Sequence, residues 1–319
     1  MKPIIHGLTH DHMDGCRSNL LLIEGLYQAA SEKFPFISHS AMTDYFRKNT
    51  TTNLVSCFDI LIRVMQSETA LRAVASTYIQ HRANQGYIYL EPKFAPQYHT
   101  LGGLSIEKVA DIVFDELRKT AYQYDIKVRP TICIGREAGP EIGIEIAKVA
   151  LKYDGEMILD LVCGEPGNPP EKHLPAYQLT FGTKVRRECH AGEWVEAEPR
   201  ENYSQRLLAN VRTALFSLRC HGIGHAIPLA QDTELVKYVV DEGVRISMCP
   251  LSNMTLKHIK SLFDLRLHTL LDANVWLTLN PDDDLFLPEM KQVIEECNQI
   301  YSFTPTQCRS LETNSLRPL

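Results

Sequence analysis

Eight short β-rich runs alternate with amphipathic helical windows along this chain, and that alternation leaves few folds open. The runs are Pro3 to Leu8, Tyr87 to Phe94, Val128 to Ile134, Met157 to Cys163, Val185 to Cys189, Gly222 to His225, Val244 to Cys249 and Val275 to Leu279. A strand that returns through a helix lies parallel to its predecessor. Eight such strands close most naturally into a (β/α)8 barrel of the TIM type, with the helices as an outer ring. At 319 residues and 44% apolar, the chain can fill that core, although composition alone does not separate one barrel from two ordinary domains.

The helical windows carry start and stop signals. Ser67 is placed to cap a helix bearing Leu71, Val74, Ala75, Tyr78 and Ile79, which Gly86 ends. Pro140 suits a first helical turn, and Asp232 precedes a helix stopped by Gly243. Two more helices are predicted at Glu289 to Tyr301 and Pro305 to Thr313. Roughly 80 residues separate the first two strands, far more than one crossover helix needs, so a helical insertion over the barrel mouth is expected within about residues 17–85. Pro92 and Pro130 fall inside predicted strands, where each removes a ladder donor, and are expected at strand ends or bulges. With no linker or low-complexity tract visible, residues 1–319 read as one domain.

Charge narrows the partners. A net charge of -6 supplies no field for phosphate backbones or acidic membranes. The densest basic cluster, Lys184, Arg186 and Arg187, reads as a solvated strand start. Nine cysteines form no C-x-x-C pair, and several sit in apolar runs, which favours buried reduced thiols. No leader-like or membrane-length apolar stretch is present, so a cytoplasmic protein is the expectation.

In a parallel barrel, side chains at the C-terminal strand ends converge however distant they are in sequence. His10 and His12 follow strand one, two residues apart, so extended chain puts both rings on one face. His190 closes strand five, His225 closes strand six, and Asp282 and Asp283 follow strand eight. Each alone is unremarkable. Four strand ends all presenting ligand-type groups are the parts of a mononuclear metal site. Glu193, three residues past His190 and after Gly192, can reach the same pocket without binding the ion. His39, His81, His99, His173, His258 and His268 lie in helical or loop windows and read as structural or surface residues.

These residues reach a known pattern. His10-x-His12-x-Asp14-Gly15, Tyr89 to Pro96, His190-Ala191-Gly192-Glu193, Gly224-His225 and Asn280-Pro281-Asp282-Asp283 together resemble the adenosine deaminase family of the amidohydrolase superfamily. The segments Ile132 to Arg136, Asp160 to Glu165 and Cys249 to Asn253 are weaker echoes. The resemblance implies a zinc ion, one per chain, held by His10, His12, His190 and Asp282, with Glu193, His225 and Asp283 catalytic. In that reading His12, Asp14, Gly164 and Asp283 contact a small purine nucleoside, and the reaction is hydrolytic deamination of adenosine or 2′-deoxyadenosine. Glu193 would protonate the purine at N1, His225 would deprotonate water, Asp283 would share a proton at N7, and Gly164 would offer its N–H to N3 with no Cβ in the way. Aspartate at 14, where adenine-preferring relatives carry glutamate, favours a nucleoside and repels a 5′-phosphate.

Departures from the pattern stand at Lys93, Trp194, Pro281 and Asp284, so a bulky indole beside the acid and a third carboxylate near the metal are expected to reshape the pocket. The alternatives are an adenine or modified-adenosine deaminase, a two-metal amidohydrolase and a silent nucleoside-binding barrel. The second needs a bridging lysine that the fourth strand lacks, and the third should have lost a ligand or the acid.

Overall fold

The computed structural model describes residues 2–153, 155–196 and 201–319. Its strands are β1 (Gly7–His12), β2 (Tyr89–Phe94), β3 (Lys127–Val128), β4 (Thr131–Gly135), β5 (Ile158–Val162), β6 (Arg186–Ala191), β7 (Gly222–His225), β8 (Arg245–Met248) and β9 (Trp276–Leu279). All pair in parallel in the order β1-β2-β4-β5-β6-β7-β8-β9, with β3 beside β2. The eight-stranded parallel barrel expected from the alternation is present.

One proline breaks a strand and the other sits beside an irregularity in the ladder. Pro130 separates β3 from β4 and splits the third strand in two. Pro92 pairs with Asp11, where the β1 register shifts after Leu8. A missing ladder N–H is tolerated at such irregularities. The first strand is displaced from its predicted range: it begins at Gly7 and runs to His12, so His10 and His12 lie inside it and His6 precedes it. Likewise β6 extends to Ala191 and contains His190. Apolar content marks where a strand enters the core, whereas here the polar ends continue the ladder.

Side chains close the ring between β9 and β1. Asn280 Oδ1 accepts from the backbone N–H of Thr9 (2.9 Å) and His10 (3.0 Å) and from Thr9 Oγ1 (3.1 Å). His12 N donates to Asp282 O at 3.2 Å, which adds a parallel bridge between Asp11 and Asp282. The motif that carries two carboxylates also fastens the barrel.

Predicted helix signals are used as read. Ser67 Oγ accepts from Ala70 N ahead of the helix Glu68–Asn84, Pro140 opens Pro140–Lys152, and Asp232 Oδ1 accepts from Leu235 N ahead of Thr233–Asp241. Between β1 and β2 lie a short 3-10 turn, Arg17–Leu21, and helices Ile23–Ala29, His39–Asn49, Leu54–Ile62 and Glu68–Asn84. Phe46 and Phe58 from this segment pack edge-on against Phe286, in the loop that follows β9. All nine cysteines are free and every one but Cys163 is buried. Among the described residues no helix is long and apolar enough to cross a membrane.

Charged side chains occupy the barrel interior. Lys93 Nζ donates to Asp160 Oδ2 (2.6 Å) and Glu188 Oε2 (2.7 Å), while Arg245 bonds Glu188 Oε1 (2.8 Å) and Glu91 Oε1 (2.9 Å). Each of these five groups is fully or almost fully buried. Buried charges persist only when paired and hydrogen-bonded, which explains the lysine at 93: its ammonium joins two carboxylates from β5 and β6.

Candidate active site

Three imidazoles and one carboxylate meet at the C-terminal ends of β1, β6 and β9. His12 Nε2 stands 3.2 Å from His190 Nε2, and Asp282 Oδ1 lies 3.3 Å from His10 Nε2 and 3.4 Å from His12 Nε2. Ligand atoms about 2.0–2.1 Å from one tetrahedral ion stand roughly 3.3 Å from each other, so the set matches the spacing a divalent ion requires. Nε2 of His10, the ring nitrogen that faces Asp282, is buried without a hydrogen-bond partner, as expected of a ligand whose partner is an ion. These four groups can therefore hold a metal.

Neighbouring residues orient them. Asp160 lies 3.3 Å from His190 Nδ1 through Oδ1, leaving Nε2 to face the cluster. Burial alone would raise the Asp160 carboxyl, but Lys93 and His190 outweigh it and hold it well below the ordinary range. Ser252 Oγ donates to Asp282 Oδ2 at 2.7 Å, and the Asn253 side-chain amide hydrogen-bonds His225 Nδ1 at 3.0 Å. Both come from the short helix Pro250–Thr255 that follows β8. His225 and Asp282 each adopt φ +68°, a left-handed conformation unfavourable outside glycine, which aims side chains inward from strand ends.

Glu193 sits beside this cluster, buried, with Oε2 3.6 Å from His225 Nε2. Gly192 turns the chain there at φ +73°. The turn is held by one carboxylate: Glu165 Oε1 accepts from Glu193 N (2.7 Å) and Trp194 N (3.2 Å), and Oε2 from Gly192 N (3.1 Å) and Asn210 Nδ2 (2.6 Å). Burial, followed by the charges of Asp282 and Glu165, pushes the Glu193 carboxyl well above its usual range. A shift in that direction favours the protonated form that a proton donor needs. Asp283 is raised in the same way by burial and then by Asp282, Asp14 and Asp11, and its buried Oδ1 has no partner.

Other expectations change here. His258, read from sequence as structural or surface, comes to the site: its Nε2 is 3.7 Å from Glu193 Oε1, and its ring stacks on Trp194 at 5.5 Å. The indole also packs against Gly164, where a Cβ would stand 3.1 Å from Trp194 Cζ2. In that turn the left-handed residue is Cys163, at φ +74°. Asp284 is not part of the cluster formed by His10, His12, His190 and Asp282; it accepts from Arg82 Nη1 (2.7 Å) and Arg17 N (2.8 Å), so the expected third carboxylate is taken up by a buried arginine. Asp14 is buried 4.0 Å from His99 Nε2, and burial pushes its carboxyl up to about 6. His173 and His268 bond backbone carbonyls and exposed His39 pairs with Glu24, as structural or surface residues do.

A parallel barrel with an imidazole–carboxylate cluster and a buried acid at its C-terminal strand ends is the frame of a metal-dependent hydrolase. The chain belongs to the adenosine deaminase family, whose pattern matches residues 6–318. It is 26% identical over 317 residues to an adenine deaminase of Streptomyces coelicolor, covering 99% of this chain and 90% of that one. It is also 26% identical over 300 residues to an adenosine deaminase of Mycobacteroides abscessus, covering 87% and 79%. Among solved structures it is similar to an adenine deaminase from Arthrobacter aurescens, with TM-score 0.83 at 23% identity over 98% of this chain and 92% of that one. Another is an N6-mAMP deaminase from Arabidopsis, with TM-score 0.76 at 20% identity over 98% and 92%.

Proposed function

We propose that the protein hydrolyses the exocyclic C6–N bond of adenosine or 2′-deoxyadenosine, yielding the 6-oxo purine nucleoside and ammonia. The observation that carries this reading is a buried carboxyl, Glu193, 3.6 Å from His225 Nε2 and beside four ligand atoms spaced for one ion. His10, His12, His190 and Asp282 would hold zinc. A divalent ion there lowers the pKa of a coordinated water toward ~7.

The chain's own residues divide the rest. Glu193 donates its proton to ring N1, which draws electrons from C6 and opens it to water. His225, 3.6 Å from Glu193, takes a proton from the incoming water and steadies the negative charge that develops on its oxygen. As the C6–N bond breaks, His225 passes the proton it took from water to the amino group, which leaves as ammonia, and the C6 hydroxyl proton goes to Glu193 as the 6-oxo group forms. Asp283, whose carboxyl burial and then Asp282 push up, shares a proton at N7, and the N–H of Gly164 faces N3 while the indole of Trp194 backs its Cα. Asp14 faces the sugar hydroxyls together with His12. At neutral pH its charge repels a 5′-phosphate.

A second reading, with free adenine as substrate, is supported by the adenine deaminase of Streptomyces coelicolor among the relatives. An ammonia-release assay over adenosine, 2′-deoxyadenosine, adenine and adenosine monophosphate separates the two. Faster release from the nucleosides is the expected result. Adenine outrunning adenosine would overturn the role given to Asp14.

A further inference from the structure

The densest basic run of the sequence lies where the deaminase reading does not reach. At the N-terminal ends of β6 to β9, on the barrel face opposite the histidines, a cavity of about 560 Å³ opens. Its walls carry Arg186, Arg187, Arg219, His221, Arg317 and Glu242. Four guanidiniums thus share the cavity with one acidic side chain.

Arg187 is used by the fold. Its Nη1 donates to Thr180 O (3.1 Å) and Val185 O (3.3 Å), and its Nε to Arg219 O (3.0 Å). The other three are placed differently. Arg219 lies 4.7 Å over the Phe181 ring and Arg317 lies 3.8 Å over the Trp276 ring. Stacking fixes a guanidinium by its face and leaves its N–H edge free for an anion. Arg186, at the start of β6, is exposed. Among the described residues, none of Arg186, Arg219 and Arg317 forms an ion pair with a carboxylate. The excess positive charge is felt nearby: burial, then Arg187, Arg186 and Arg129, hold the His221 ring down at about 4. Phe216 and Tyr238, in contact at 4.8 Å, add an aromatic wall.

We propose that this cavity binds a small polyphosphorylated anion, at a site separate from the barrel mouth. Guanidinium edges suit phosphate oxygens because each can donate two parallel hydrogen bonds. The phosphates can belong to an inorganic chain or to a nucleotide, whose base would meet Phe216 and Tyr238.

The chain has two tryptophans, so Trp194→Phe leaves Trp276, in the cavity wall, as the remaining tryptophan, excited selectively beyond the tyrosine absorption band. Its emission is titrated with inorganic tripolyphosphate, with UTP and with uridine, and calorimetry on the unaltered chain gives a second readout. Both anions are expected to saturate the signal, uridine to leave it unchanged, and binding to weaken by about tenfold or more in Arg186→Ala/Arg219→Ala. Equal affinity for both anions assigns the binding to phosphate, and tighter UTP adds the base; either supports the site. Circular dichroism confirms that the double variant folds, and Arg186→Glu at the exposed position repeats the test if it does not. The absence of saturable binding by both readouts, or affinity unchanged in folded arginine variants, would overturn the proposal.

Discussion

Glu193 gives the sharpest residue-level test because its role depends on a proton and hardly on its volume. Glu193→Gln is expected to keep metal and nucleoside binding while lowering kcat by about 10²- to 10⁴-fold, measured by ammonia release beside metal content on one sample. Full activity in that variant would remove the glutamate from the mechanism. His258 tests a contact rather than a proton. Placed near Oε1 of Glu193 while His225 is near Oε2, it should position the carboxyl, so His258→Leu is expected to lower kcat roughly tenfold with KM little changed. Glutamine, which keeps a polar atom near Nε2, should restore most of the loss; no difference between the two variants would reduce His258 to packing. The two residues also differ in how far sequence exposes them. Glu193 sits at a fixed offset from a ligand and after a glycine, and both signals are local. His258 arrives from a loop after β8 through a left-handed Lys257, φ +64°, and nothing in a run of side-chain types announces such a turn.

Strands and their connections were legible as elements but shifted at their ends. Periodicity finds the apolar stretch, so it placed β1 four residues early and stopped β6 before His190, because polar residues that continue a ladder look like loop. The barrel seam was hidden for the same reason: Asn280 looked like part of a site motif, while its side chain holds two N–H groups of β1. Asn280→Ala leaves buried donors on Thr9 and His10 unpaired and is expected to cost about 2–4 kcal/mol of stability, read from urea unfolding. A loss within error of zero would mean that the backbone bridge at Asp282 closes the ring alone. The charged interior was equally invisible, since Lys93, Asp160, Glu188 and Arg245 are distant in sequence and only the barrel brings them together.

Stability of the whole molecule should fall in mild acid. His99 is fully buried, stacked on Phe94 and hydrogen-bonded to Met65 O, and burial holds its ring down at about 4. The unfolded chain binds that proton near pH 6.5 and the folded chain only near pH 4, so the neutral ring's stabilisation is full above pH 6.5 and is lost as pH falls through that window. Its share is about 1–3 kcal/mol by the time pH reaches 4, and a His99→Phe variant should show a correspondingly flatter stability profile in chemical denaturation. An identical profile in both proteins would assign the acid sensitivity elsewhere. At this scale the sequence was most informative: eight alternating runs and the order of the motifs suffice for the barrel and the family, because both depend on pattern along the whole chain and hardly on any single end point.

The central claim is that His10, His12, His190 and Asp282 clasp one ion next to a buried glutamic acid. Metal content by mass spectrometry, on the wild type and on folded His190→Ala prepared side by side, tests it most directly. About one zinc per wild-type chain, lost in the variant, is the result expected of a four-ligand site. A stoichiometry near two, or a variant that keeps its full metal, would contradict the account.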